Sequence, residues 1–333
     1  MITGPGQAEV RDVDPPAPRA GEAIVDVERA GVCGTDVEFF TGEMSYLHTG
    51  EAAFPIRIGH EWAGTVSAVG DGVDPGWVGR RVTGDTMLGC GTCGRCTAGR
   101  RHLCADRVEI GIRNGWPGAL AERLPVPVSA LLPLPPTLDS ARGALVEPGG
   151  NALRAVNGAA VAPGERLLVL GAGTIGLLVA MFAAADGVEV HLMGRSARSL
   201  AFARSLGFVH AWTRPELPDL RFDAVVDASN AADLPSLAVE LVEPGRRVVF
   251  IGLAGEPSLV DSRAIALKDV TTVGVLSASG GLAGASDRYA SGDVDPLPLV
   301  AATVGLGEVA AVLAGERRLE WGDAPKLHVD PRR

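Results

Sequence analysis

The stretch Arg166-Leu167-Leu168-Val169-Leu170-Gly171-Ala172-Gly173-Thr174-Ile175-Gly176 decides the fold of this chain. Its first five residues form a largely apolar run of strand length, and Ile175 to Ala185 have helix length. Between them, glycines spaced as G-x-G-x-x-G permit a tight turn, close approach of backbone to a pyrophosphate, and close helix packing. The amides that open the helix, those of Thr174 and Ile175 included, then face negative charge. An ordinary glycine-rich turn is the alternative reading. It leaves the strand–turn–helix context unexplained.

Outward from this unit the pattern repeats. Val188 to Leu192 reads as a strand, Ala197 to Leu206 as a helix, and Ala224 to Asp227 and Arg247 to Ile251 as further strands. Residues 270–276 supply a last one. Apolar strands alternating with helices imply a parallel sheet covered on both faces. Residues 167–185 carry no charge and are long enough to span a bilayer. Gly171, Gly173 and Gly176 interrupt them, so a buried strand, turn and helix explain the run better.

The end of the second strand reports on the cofactor. An NAD site usually places Asp or Glu there, accepting hydrogen bonds from the adenosine ribose. This chain has Gly194, followed by Arg195, Ser196 and, two further on, Arg198. Losing the carboxylate removes repulsion of a 2′-phosphate, and guanidiniums supply attraction and planar donors. The reading is NADP(H) over NAD(H). The alternative is that Arg195 and Arg198 are merely exposed residues at a helix start.

Upstream, from Glu22 to about Pro148, short β segments are separated by Gly and Pro. Four of the five cysteines, Cys90, Cys93, Cys96 and Cys104, sit in one Gly-rich loop, GCGTCGRCTAGRRHLC. Thiolates at this spacing can converge on one tetrahedral zinc with no open position, which is a structural site. Disulfides or buried free thiols are the alternatives. Disulfides fit poorly, because no signal peptide opens the sequence and the cysteine count is odd. His102 lies inside this lobe and reads as a solvated loop residue.

Composition narrows the partners. At 333 residues two domains are expected, and 47% apolar content excludes a disordered chain. The net charge of −10 offers no basic face for nucleic acid or anionic lipid. A cytoplasmic protein is the expectation. Lys268 and Lys326 are the only lysines among 30 basic residues, a composition that suggests a GC-rich bacterial genome.

Three pieces remain: Cys33 in GVCGTD, His60-Glu61 in IGHEWAG, and Glu147 in ALVEPGG. One Cys, one His and one carboxylate can hold zinc and leave a fourth position to water or substrate oxygen. Such an open ion acidifies a bound alcohol and polarises a bound carbonyl, which favours hydride exchange with a nicotinamide.

The order GVCGTD, GHEWAG, cysteine lobe, VEP and G-x-G-x-x-G domain resembles the zinc-dependent medium-chain dehydrogenase/reductase superfamily, over nearly the whole chain from about Gly21. Glu147 at the third ligand position is similar to the sorbitol, threonine and polyol dehydrogenase branch. There is a looser likeness to bacterial enzymes acting on cyclitols and aminocyclitols, including 2-deoxy-scyllo-inosamine dehydrogenases. The resemblance implies an α/β architecture: a GroES-like β-rich catalytic domain over residues 1–150, completed by 280–333, and a Rossmann domain over 151–279. It implies two zinc ions per subunit, Cys33, His60 and Glu147 being ligands of the catalytic one, with Glu61 an adjacent carboxylate able to approach the metal.

Thr35 would bond the zinc-bound hydroxyl and pass its proton toward the nicotinamide ribose. Glu38 stands where many relatives carry the histidine that hands the proton to solvent; the alternative is a solvated surface carboxylate. Ser45, Tyr46 and His48 are loop candidates for the substrate site. The opening strand is expected to be clipped, or the start to lie further upstream. The implied activity is reversible secondary alcohol–ketone interconversion on a polar small molecule, by a homodimer or homotetramer. An epimerase or lyase with retained cofactor, or a non-redox cofactor-binding regulator, are the competing expectations.

Overall fold

The computed structural model describes residues 1–333. It divides into two compact units, one of Met1–Glu147, Ser277–Gly322 and Lys326–Arg333, the other of Pro148–Leu276 with Asp323–Pro325. In the second, six parallel strands run in the order Ala211–Trp212, Glu189–Met193, Arg166–Leu170, Phe222–Asp227, Val242–Phe250, Thr271–Gly274. Numbered along the chain this is 3-2-1-4-5-6, the doubly wound order, which reverses beside Arg166–Leu170. Leu167, Leu168, Val169 and Leu170 are fully buried because helices cover both faces of the sheet. The segment that resembled a membrane span is thus the end of a central strand, the glycine turn and the helix Thr174–Ala185. No helix is long and apolar enough to cross a membrane.

In the first unit, a seven-stranded sheet runs Val300–Gly305, Lys326–Asp330, Glu22–Val32, Glu61–Val69, Arg81–Gly84, Leu131–Pro133, with Arg123–Pro127 also pairing Glu22–Val32. Glu22–Val32 and Glu61–Val69 are antiparallel, with Gly31 opposite Glu61. Lys326–Asp330 pairs the other side of Glu22–Val32, with Leu327 opposite Val32 and His328 opposite Gly31. Trp62, Phe39, Ile110 and Leu124, all fully buried, anchor the core. The opening strand, Ile2–Gly4, has three residues and pairs Gln7–Ala8.

His191 and His328, both buried, sit in opposite polar environments. His191 Nε2 lies 2.8 Å from Glu189, its Nδ1 accepts from Trp212 Nε1 at 3.4 Å, and its ring stacks on His210 at 4.5 Å. Both nitrogens are in use, so this trio reads as packing within the sheet. His328 is different: it is fully buried and neither ring nitrogen has a hydrogen-bond partner. Burial, then the charge of Lys326, lowers its pKa to about 4.

An unfolded histidine titrates near 6.5, so the unfolded chain binds a proton that folded His328 refuses. Its contribution is therefore fully present above that value and is lost as pH falls toward 4. The loss amounts to about 3 kcal/mol. We expect His328→Leu to reduce the drop in thermal midpoint between neutral and acid pH. An unchanged pH profile would mean that His328 titrates normally.

Candidate active site

Cys33 follows the strand Glu22–Val32 and caps the helix Gly34–Thr41. Its backbone N–H donates to Asp36 Oδ2 at 2.9 Å, a carboxylate three residues on that closes a capping box. Asp36 Oδ1 also accepts from Gly59 N at 3.2 Å and lies 3.7 Å from His60 Nδ1. One fully buried carboxylate thus ties together the segments carrying Cys33 and His60. Burial raises the Asp36 pKa, opposed chiefly by His60.

Ligand atoms of Cys33, His60 and Glu61 lie within 4.8 Å of one another. Burial by itself would lower the His60 pKa, yet Asp36, then Cys33 and Glu147, outweigh it and hold the imidazole well above its ordinary value. A buried point where thiol, imidazole and carboxylates jointly favour positive charge suits a divalent metal, and its Cys/His/Glu donors suit zinc. His60 Nδ1 has no hydrogen-bond partner of its own. Asp36 beside it leaves Nε2 for the metal.

Glu147, buried in the first turn of the helix Val146–Ala159, bears on His60 electrostatically but lies outside the close trio. Glu61 is the carboxylate of that trio. Lys326 Nζ donates to both Glu61 oxygens, at 2.7 and 2.8 Å, and to Val32 O at 3.0 Å. Both side chains are almost wholly buried. Gly31 matters here, because a Cβ at that position would lie 2.0 Å from Glu61 Oε2. Thr35 and Glu38 are half-buried on the helix that Cys33 caps, and burial, then Glu43, raises the Glu38 pKa. Of the loop candidates, Tyr46 bonds Glu109 and Arg107, each at 3.3 Å, and His48 bonds Gly42 O at 3.1 Å.

Asp36, Lys326 and Gly31 were not singled out from the sequence. Asp36 carried a signal, the N-cap-to-N3 spacing from Cys33. The rarity of lysine was the only hint for Lys326. His102 corrects the sequence reading: it is buried, not solvated, because the turn Arg101–Leu103 folds back into the cysteine lobe.

In that lobe the four sulfurs lie within 4.8 Å of one another, Cys90 to Cys96 at 3.9 Å and Cys93 to Cys104 at 3.8 Å. Zinc–sulfur bonds of about 2.3 Å put tetrahedral neighbours about 3.8 Å apart, so the lobe is already shaped for the ion. Backbone N–H groups of Cys93 and Thr92 bring the Cys90 thiol down to about 6, while burial pushes Cys96 up to about 12. A cation is what lets all four act as thiolates.

In the other unit Gly171 adopts φ +109°, and a Cβ on Gly176 would lie 1.8 Å from Gly171 O. Gly173 caps the helix that opens at Thr174, followed by Ile175. Gly194 is buried, with Leu200 Cδ2 2.9 Å and Ala172 Cβ 3.2 Å from where a Cβ would stand. Arg195 is exposed after it, Ser196 caps the next helix by accepting from Ser199 N at 3.1 Å, and Arg198 pairs with Asp323 at 2.5 Å. Exposed pairs of this kind are worth little, so Arg198 can exchange partners at small cost.

The geometry agrees with family comparison. Residues 19–136 match the alcohol dehydrogenase GroES-like domain, and residues 174–291 the zinc-binding dehydrogenase domain. The chain is 33% identical over 278 residues to an L-threonine 3-dehydrogenase of Saccharopolyspora erythraea, covering 80% of each. An alcohol dehydrogenase of Escherichia coli CFT073 in complex with NADH superposes with TM-score 0.89 at 26% identity, over 99% of this chain and 97% of that one. A zinc-binding dehydrogenase of Sinorhizobium meliloti 1021 bound to NADP gives 0.88 at 28%, over 99% and 98%.

Two outcomes follow from these contacts. Lys326→Met leaves the Glu61 carboxylate buried and unpaired, a cost of about 3–5 kcal/mol, and adding Glu61→Gln should recover much of the lost thermal midpoint. No recovery in the double variant would show that Lys326 acts other than through Glu61. Cys96→Ser should lower both zinc content and thermal midpoint; if neither changes, the lobe holds no metal.

Proposed function

This chain belongs to the zinc-dependent medium-chain dehydrogenase superfamily, and from that premise we propose that it interconverts a secondary alcohol and a ketone on a polyol, cyclitol or aminocyclitol. NADP(H) is the preferred cofactor, and the working form is a homodimer or homotetramer. One observation carries the reading: Cys33, His60 and acidic groups converge on one buried point in a chain that also carries the dinucleotide turn. Likeness to an enzyme named for L-threonine supports a substrate with polar groups on adjacent carbons. Cyclitols and aminocyclitols share that pattern.

When bound, zinc would supply Lewis acidity toward an alcohol or carbonyl oxygen and the dinucleotide would supply the hydride acceptor or donor. Cys33, His60 and Glu147 would hold the metal. Asp36 orients the imidazole, and Lys326 holds Glu61 at the rim of the donor set. Thr35, in the first turn of its helix, would accept a hydrogen bond from the substrate hydroxyl and, as it receives that proton, release its own hydroxyl proton toward the nicotinamide ribose. Glu38, one turn further along, would be the relay's last acceptor and pass the proton to solvent, and the raised pKa of its carboxyl suits that role better than an ordinary carboxylate would.

On the cofactor side, Gly194 leaves the second strand without a carboxylate, and Arg195 with Arg198 supplies charge for a 2′-phosphate. The test is a panel of polyols, cyclitols and aminocyclitols assayed with both cofactors by reduced-nicotinamide absorbance. We expect kcat/KM for NADP⁺ to exceed that for NAD⁺ at least tenfold. Arg195→Ala should cost about ten- to hundredfold with NADP⁺, the worth of a charged hydrogen bond, and little with NAD⁺. A clear NAD⁺ preference refutes the cofactor assignment. Product formed with no net absorbance change would replace the dehydrogenase reading with transient oxidation.

A further inference from the structure

Of the two guanidiniums proposed for a 2′-phosphate, one is already engaged. Arg195 is exposed next to Gly194, whereas Arg198 Nε donates to Asp323 Oδ1 at 2.5 Å. Asp323 lies 125 residues further on. It opens the tripeptide Asp323–Pro325, which belongs to the dinucleotide unit although Gly322 before it and Lys326 after it belong to the catalytic one.

Neighbouring residues fix where this carboxylate stands. Trp321, Ala324 and Lys326 are buried, and Gly322 turns the chain with φ +67°. Arg198 is held equally well, in the first turn of the helix Ala197–Ser205, whose start Ser196 caps. The fold thus brings an acid to this guanidinium from a segment outside the dinucleotide motif. A guanidinium binds carboxylate and phosphate through the same donors. Asp323 and a 2′-phosphate therefore compete for Arg198, while a cofactor with a free 2′-hydroxyl leaves the pair intact.

We propose that Asp323 is a specificity-determining residue for the cofactor. It occupies Arg198 when no 2′-phosphate is bound and so narrows the margin by which NADP(H) is preferred over NAD(H). This assignment rests on the NADP(H) reading above and adds to it a residue close to the C-terminal end of the chain. Both partners are about half exposed, so the contest is a mild one that tunes the preference and does not reverse it.

The test is titration of NADPH and NADH into the full-length zinc-loaded protein, followed by nicotinamide fluorescence. Asp323→Asn keeps the shape of the side chain and removes its charge. It should lower the Kd for NADPH about two- to fivefold, which is what an exposed ion pair contributes, and leave the Kd for NADH as in wild type. The gain should shrink at high salt, where screening weakens the pair, and most of it should vanish when Arg198→Ala is added. The proposal is overturned if Asp323→Asn binds NADPH no more tightly than wild type, or if NADH binding changes as much. Persistence of the full gain at high salt or without Arg198 would overturn it too. Wild type binding NADH more tightly than NADPH would overturn the cofactor reading itself. A wild-type preference for NADPH with a neutral Asp323→Asn overturns this assignment alone.

Discussion

Three neighbouring strands in one register hold the catalytic centre together. Gly31 stands opposite Glu61, and Leu327 opposite Val32, so Cys33, His60, Glu61 and Lys326 meet at one end of the sheet. Side chains alternate between faces along a strand, so a slip of one residue would turn Glu61 away from Lys326. The buried ion pair and the glycine that makes room for it penalise that slip. Breaking the pair strands a charge in the interior, and a larger residue at position 31 collides with it. The pair therefore contributes register specificity more than raw stability.

Asp36 adds local precision. By accepting from Cys33 and Gly59 and standing beside His60, it couples a helix start to a strand start. The same carboxylate explains why burial does not leave the imidazole with a depressed pKa. A site preset to favour positive charge spends little on reorganisation when a cation arrives. The cysteine lobe follows the same logic, with sulfur spacings already near those of a tetrahedral thiolate site. The dinucleotide turn follows it too, its glycines clearing the space that a pyrophosphate and a helix start require.

Much of this was legible in the sequence, and the reasons are specific. Leu167 to Gly176 announced the central strand and its turn because both signals are local: apolar run, then fixed glycine offsets. The cysteine lobe was legible because its ligands lie within fifteen residues. Lys326 was not, since its partner is 265 residues away and only the fold brings them together. His102 misled because a polar, Gly-rich neighbourhood looks solvated until the turn folds inward. Asp36 lies within GVCGTD, but its importance comes from a contact with Gly59 and His60 that spacing alone does not reveal. Glu61 and Glu147 lie in their expected segments, while their relative closeness to Cys33 and His60 depends on side-chain placement.

The most direct test is metal quantification combined with zinc-edge X-ray absorption on the purified, folded protein. The account predicts two zinc ions per chain and an averaged coordination shell that mixes sulfur with nitrogen and oxygen. A single zinc per chain, with a shell of sulfur alone, would contradict it.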